Sequence, residues 1–307
     1  MRRILISGSL LVVLALGAGT EPLFAQAGGP PKGVDLAELE VLTDRWLVVH
    51  IVDGHVVHHG KGQKCTEERA VVSRIDAARA ARAETWSIAS TDDPSYSAGK
   101  SPARVGRKTR GCDFAWLIES WQNGRAVNHS PDHALEHRIY LALPTPLRRG
   151  AVYTVACGDL IPGNPSLRVR FDETSSRSEA LHVNLVGYPA SSPAKYGYLY
   201  HWMGDLDPLE VKPLGGRNFR LIEQPSGAVA FSGTVKFRFS KDQPETLHLA
   251  DSPPHGNFLK ADVSECDFSG FSRPGTYVLS VEGVGASFPF RIGEDVYREA
   301  FRTAIRG

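Results

Sequence analysis

Short β-branched or aromatic runs, each closed by Gly, Pro, Asn or Asp, recur through most of the sequence, and this spacing constrains the fold more than any other feature. The first region offers RWLVVHIV, TWSIAS, FAWLIESW with an Asn123-Gly124 hairpin signal, HRIYLALP, AVYTVAC and LRVRFDE. Its one helical exception is the Ala- and Arg-rich Arg74 to Glu84 stretch. The second region reads LHVNLVGY, KYGYLYHW, LEVKP, NFRLIE, AVAFSGTVKFRF, ETLHLA, FLKADVS, TYVLSVEG and SFPFRIG. Many short strands at spacings of about ten residues fit antiparallel sandwiches and exclude a helical bundle or an α/β fold. The polar FDETSSRSEA, Phe171 to Ala180, separates the two regions. The expected fold is all-β, with two tandem β-sandwich domains at 41–172 and 181–293. Near the end, Tyr297, Ala300, Phe301, Ala304 and Ile305 fall on one helical face, so 294–307 reads as a short C-terminal α-helix.

Residues 1–27 carry a basic start at Arg2 and Arg3, an apolar run around Leu10 to Leu16 and a small-residue Ala25-Gln26-Ala27 exit. They read as a signal peptide, so the protein is expected to be secreted or periplasmic, with no membrane association after cleavage. Residues 28–40 follow as a leader without periodicity. Without Arg2, Arg3 and Glu21, the 35 basic and 34 acidic residues fall to 33 each. That neutral balance gives no reason to expect a nucleic-acid or anionic-membrane partner. The local basic stretch Lys100, Arg104, Arg107, Lys108, Arg110 reads as a solvated loop. Export places Cys65, Cys112, Cys157 and Cys266 in an oxidising compartment. Three fall in the first domain and one in the second, so at most one intradomain disulfide is expected, with Cys266 a buried free thiol.

Two segments, HVNLVGYPASSPAKYGYL (182–199) and ADVSECDFSGFSRPGTYVLSVEGVGASFPFRIGEDVYREAFRTAIRG (261–307), carry a specific pattern. It comprises an N-x-x-GY-x-P opening with a following Lys, a DFS, a PGTY-x-L, an SFPF-x-I and a Tyr-bearing helix. Asn184, Gly187, Tyr188, Pro193, Lys195, Asp267, Phe268, Ser269, Pro274, Gly275, Tyr277, Phe288, Phe290, Ile292 and Tyr297 sit on it. The region resembles the N-terminal immunoglobulin-like domain of family 9 glycoside hydrolases, the cellulase group, and the first domain matches no family. The resemblance implies a scaffold role for these residues. It also implies that the terminal helix leads into a catalytic (α/α) barrel C-terminal to this chain, with Tyr297, Phe301 and Ile305 as its docking face. On their own chemistry, Gly187 and Gly275 suit tight turns, Pro274 presets one, and Phe288 and Phe290 lie two apart on one strand face.

Glycosidic hydrolysis needs two placed carboxyls. The DAGD-like stretch the family uses is absent, and Gly158-Asp159, Gly204-Asp205 and Asp92-Asp93 are poor substitutes, so no catalytic residue is assigned. HALEH, His133 to His137, fits H-x-x-E-H literally, but Pro131 and the following strand leave no room for the helix that a zinc site needs. HVVHH, His55 to His59, reads as a polar strand edge. No metal and no cofactor are assigned. The most functional-looking feature is KYGYLYHW, where Tyr196, Tyr198, Tyr200 and Trp202 share one strand face. That row suits an interface, a core or a polysaccharide contact. Two functions are expected: the non-catalytic N-terminal region of a secreted family 9 hydrolase acting on a β-glucan, inactive alone, or a stand-alone carbohydrate-binding or scaffold protein.

Overall fold

The structure, a computed structural model, describes residues 34–63, 68–115, 118–129, 132–165, 167–244 and 257–306. The expected signal peptide, residues 28–33 of the leader, Cys65 and ETLHLA lie outside these. In the first half the strands are β1 (Leu36–Thr43), β2 (Trp46–Val52), β3 (Gly54–Val57), β4 (Arg69–Val72), β5 (Ser87–Ala89), β6 (Arg104–Phe114), β7 (Ile118–Gln122), β8 (Arg125–His129), β9 (His133–Ala142), β10 (Val152–Ala156) and β11 (Leu167–Arg170). The sheet β1-β2-β9-β6 packs on β11-β10-β5, with β3–β4 and β7–β8 as separate hairpins. Between the sheets Leu39, Val49, Ile51, Ile139 and Leu141 meet Ile88, Tyr153, Val155 and Leu167 in one buried core.

The second half contributes β12 (Leu181–His182), β13 (Tyr196–Leu199), β14 (Asn218–Glu223), β15 (Val229–Thr234), β16 (Lys236–Phe239), β17 (Val263–Asp267), β18 (Gly275–Val281), β19 (Gly285–Ala286) and β20 (Phe290–Ile292). Sheet β12-β13-β17-β16 faces sheet β15-β14-β18-β19, with β20 added on β18. Leu199 and Cys266 from one side meet Phe219, Leu221, Tyr277, Leu279 and Phe290 from the other. The fold is all-β sandwich in both halves, with two short α-helices among the described residues, α1 (Ala77–Ala80) and α2 (Arg298–Arg306).

Several local expectations are corrected. The assigned leader runs to residue 40, yet β1 begins at Leu36, because Ala37, Leu39 and Val41 alternate into the core. The basic stretch is not a loop: Arg104, Arg107, Lys108 and Arg110 lie on β6, at the edge of its sheet, and Lys100 bridges to Ile88. Arg74 to Glu84 gives only the four residues of α1, capped by Asp76, before a 3-10 turn at Ala83–Thr85. LHVNLVGY is strand for two residues and then bends, and LEVKP forms a 3-10 turn at Lys212–Leu214. Phe288 does not share the core with Phe290: β20 starts only at Phe290, and Phe288 is 47% exposed beneath the Arg177 guanidinium, 4.5 Å from the ring centroid. The terminal helix begins at Arg298 rather than at residue 294.

Sheet β1-β2-β9-β6 is covered on both faces, which is why RWLVVHIV reads as an almost unbroken apolar run. Leu47, Val49 and Ile51 point into the first core, whereas Leu42, Val48 and Tyr140 belong to the core of the second half. Beside this apolar contact runs an ionic one. Arg138 of β9 grips both carboxylate oxygens of Glu179 at 2.7–3.0 Å and also meets Glu136. His50 of β2 lies between Glu38 (3.0 Å at Nδ1) and Glu136 (2.8 Å at Nε2), and Arg177 pairs with Glu40. Burial pushes Glu136 up, but hydrogen bonds from Arg110 and Arg138 outweigh it and hold the carboxyl at about 2. The open edge of β6 is closed by the second half: the Arg107 N–H donates to Asp205 Oδ1 at 2.6 Å, and Lys108 Nζ donates to the Trp202 carbonyl at 3.2 Å. Strand edges left bare are pairing liabilities, so this clip also protects the sheet.

Candidate functional site

Alternation in KYGYLYHW outlasts the strand. Gly197, Leu199 and His201 are buried while Tyr196, Tyr198, Tyr200 and Trp202 stay partly exposed. A methyl group added at Gly197 would come within 2.3 Å of Leu279, which fixes the inward face as a close-packed one. The four outward aromatics do not act as one surface. Tyr200 stacks on His182, with centroids 4.0 Å apart, and His182 Nε2 donates to the Tyr200 carbonyl at 3.0 Å. Burial keeps this imidazole below its usual range. Trp202 meets the first half through Lys108, and its neighbour His201 accepts from Tyr140.

Only Tyr196 and Tyr198 line an open groove of about 450 Å³, together with Asn184, Ser192 and Tyr297. Their rings are 6.4 Å apart and within 23° of parallel. Arg238, paired with Glu265, lies 5.6 Å from the Tyr198 ring. The groove ends where α2 begins. Asn184 Nδ2 donates to Tyr297 Oη at 3.3 Å and to the Gly187 carbonyl at 2.8 Å, so the bend after β12 and the root of the helix are tied together.

From that root α2 runs clear of both sandwiches. None of its residues is buried, and Tyr297, Phe301 and Ile305, at i, i+4 and i+8, are 47%, 65% and 67% exposed. Leu185 and Val186, in the bend that Asn184 braces, are exposed as well. Large apolar side chains aligned on one helix face and left in water mark a surface built for contact.

The remaining motif residues are framework. Tyr188 donates to the Tyr196 carbonyl at 2.6 Å, and burial pushes its phenol up to about 12. Lys195 is fully buried with Nζ on the carbonyls of Ala190 and Ser192, and Asp267 accepts from the Ser269 N–H. Tyr277 donates back to the Arg273 carbonyl at 3.0 Å. Cys266 is buried and free, its thiol pushed up to about 12, and Cys112 and Cys157 are free too.

The carboxyl look-alikes are likewise spent on structure. Asp92 accepts from the Val152 N–H, Asp93 from the Tyr153 hydroxyl, Asp159 pairs with Arg79, and Asp205 holds β6. HALEH lies on β9, with His137 held by Thr109 on one face and Glu136 turned to the other. HVVHH was read without placed carboxylates, and the structure supplies them: Asp35 for His55, Asp113 and Glu68 for His58, Glu68 for His59. One grouping escaped the sequence. Glu38, Glu40 and His50 bring donor atoms within 4.8 Å of one another, visible only once the β1–β2 register pairs Glu38 with His50 and Glu40 with Val48. Arg138 and Arg177 already supply positive charge there.

The fold and the uncovered helix define a pair of β-sandwich modules that present an amphipathic helix at one end. No family model matches the chain. Over 86 residues it is 34% identical to endoglucanase D of Acetivibrio thermocellus, a stretch that is 28% of this chain and 11% of that relative. A metagenome-derived glycoside hydrolase family 9 endoglucanase of known structure is 24% identical, with 41% of this chain and 20% of that one covered and a TM-score of 0.31. An endoglucanase from Alicyclobacillus acidocaldarius is 23% identical over 42% of this chain and 17% of its own, with a TM-score of 0.26. The chain is thus similar to an endoglucanase over part of its length, and it spans about a tenth of that curated relative.

Proposed function

We propose that this chain is the non-catalytic N-terminal region of a secreted family 9 glycoside hydrolase that degrades a β-glucan such as cellulose, and that its second half is the immunoglobulin-like domain that buttresses the catalytic (α/α) barrel. The observation that carries the reading is the bare apolar face of α2, with Tyr297, Phe301 and Ile305 in line. The 34% identity with an endoglucanase supports it. In this reading the interlocked halves form one rigid support, and the helix is the surface on which the barrel seats.

Two measurements test it. Continuing the nucleotide sequence past Gly307 should reveal an open frame with a paired-Asp motif, and a stop codon there would contradict the proposal. The chain itself should release no reducing sugar from soluble cellulose, because no acid and base carboxyl pair is assigned. A second reading, a stand-alone carbohydrate-binding protein, is favoured by the groove at Tyr196 and Tyr198. It requires cello-oligosaccharide binding that Tyr198→Ala abolishes.

A further inference from the structure

Where the two halves meet beside the β1–β2 turn, a second cavity of about 300 Å³ opens on solvent past the exposed Arg45, Arg104 and Glu210. Its volume lies at the lower end of small-molecule sites, which also favour domain junctions. Trp46 forms a half-buried aromatic wall, and Met203, Leu206, Leu209 and Leu214 form an apolar one contributed by the other half. Neither half makes the cavity alone.

Its charge is lopsided. Arg45, Arg104 and Arg217 line it together with Asp44 and Glu210. Arg217 lies 3.7 Å from Asp44 and donates to the Glu282 carbonyl, so it is engaged. Arg45 and Arg104 have no ion-pair partner within 4.0 Å among the described residues. Two uncommitted guanidiniums beside an indole and an aliphatic wall match a planar anion on a ring-sized body, since the guanidinium fork complements a carboxylate. The surplus is one charge, which suits a monoanion; inorganic phosphate, closer to a dianion, would crowd Asp44 and Glu210.

We propose that this junction is a binding site for a small organic carboxylate on a ring-sized body, either a hexuronate sugar unit or an aromatic acid. The proposal goes beyond the reading above and does not depend on it, because every lining residue belongs to this chain and lies away from α2. Seating such a ligand would also bridge the halves.

The test titrates the intact chain with D-glucuronate, benzoate, glucose and inorganic phosphate, following the Trp46 indole N–H resonance, assigned by its loss in Trp46→Phe. A carboxylate should shift that resonance and bind at least about tenfold tighter than glucose. Arg45→Gln with Arg104→Gln should lose at least about tenfold in affinity while the spectrum stays folded, as expected for exposed side chains. Response to glucuronate alone identifies the sugar source, and to benzoate alone the aromatic one. Equal binding of glucose, phosphate competing as strongly as the carboxylates, an unaffected double variant, or no shift with either carboxylate would overturn the proposal.

Discussion

Tyr140 of the first half and His201 of the second are hydrogen-bonded across 3.0 Å, Tyr Oη to Nε2, with both side chains buried between the sandwiches. The imidazole accepts here only while neutral, and burial together with the nearby Lys108 ammonium pushes it down to about 4. Above its ordinary 6.5 the ring is neutral whether the chain is folded or not. Below that the unfolded chain takes up a proton that the folded chain refuses, so stability falls as pH drops from 6.5 toward 4. Melting followed across that window should show the decline, and His201→Gln should make it shallower, the remainder coming from the buried His137 and the half-buried His182. An equal slope in the variant would contradict the assignment.

Glu136 extends the acid sensitivity lower. Its ordinary value of 4.5 is depressed to about 2 despite burial, by Arg110 and Arg138. A depressed carboxyl contributes stability above the unfolded value and loses it as pH falls through 4.5 toward 2. Glu136→Gln should therefore lower the melting temperature at neutral pH and narrow the gap to the parent near pH 2. A constant gap across the range would show that the ion pairs are not responsible.

Phe290 and Phe288 should separate sharply. Phe290 is 2% exposed among Tyr188, Phe268 and Tyr277, so Phe290→Ala should cost about 3–5 kcal/mol. Phe288→Ala loses a half-exposed ring under Arg177 and should cost about 1 kcal/mol or less. Denaturant unfolding of both variants checks the order, and similar losses would contradict the placement of β20.

The clip on β6 rests on one glycine. Gly204 sits at φ +69, and a Cβ there would lie 2.2 Å from the Arg107 carbonyl oxygen. Gly204→Ala should destabilise by more than about 1 kcal/mol, because it strains the backbone and pries Asp205 from the strand edge. Raised hydrogen exchange at the Arg107 amide would be the local sign, and an unaltered rate would argue against the clip.

Strands were legible wherever β-branched and aromatic runs were bracketed by turn residues, as with NFRLIE, which is β14 without a residue of error. They were missed where charge filled the exposed positions. Arg104 to Phe114 became β6 because β9 pairs along its whole length and Asp205 covers its edge, neither of which is local information. Glu38 and Glu40, read as leader, are placed by the β1–β2 register, and what they meet beyond it, such as Arg177 at Glu40, is distant in sequence. For the candidate site, period-two alternation put Tyr196 and Tyr198 on one strand face, without saying which way that face turns. It could not show that Tyr200 is stacked on His182 or that Trp202 is drawn to Lys108, since both depend on contacts distant in sequence.

The central claim is that α2 is a docking element with nothing to cover it among the described residues. Its face is so exposed that Phe301→Ser with Ile305→Ser should move the chain's own unfolding by less than about 0.5 kcal/mol. A nine-residue helix without tertiary cover opens readily. Hydrogen exchange at the amides of Ala300 to Ala304 is the most direct measurement, made on this chain alone and again with a family 9 catalytic barrel joined after Gly307. The account predicts exchange near the unprotected rate in the first case and strong protection in the second. Strong protection in the monomeric chain alone, or no gain when the barrel is present, would contradict it.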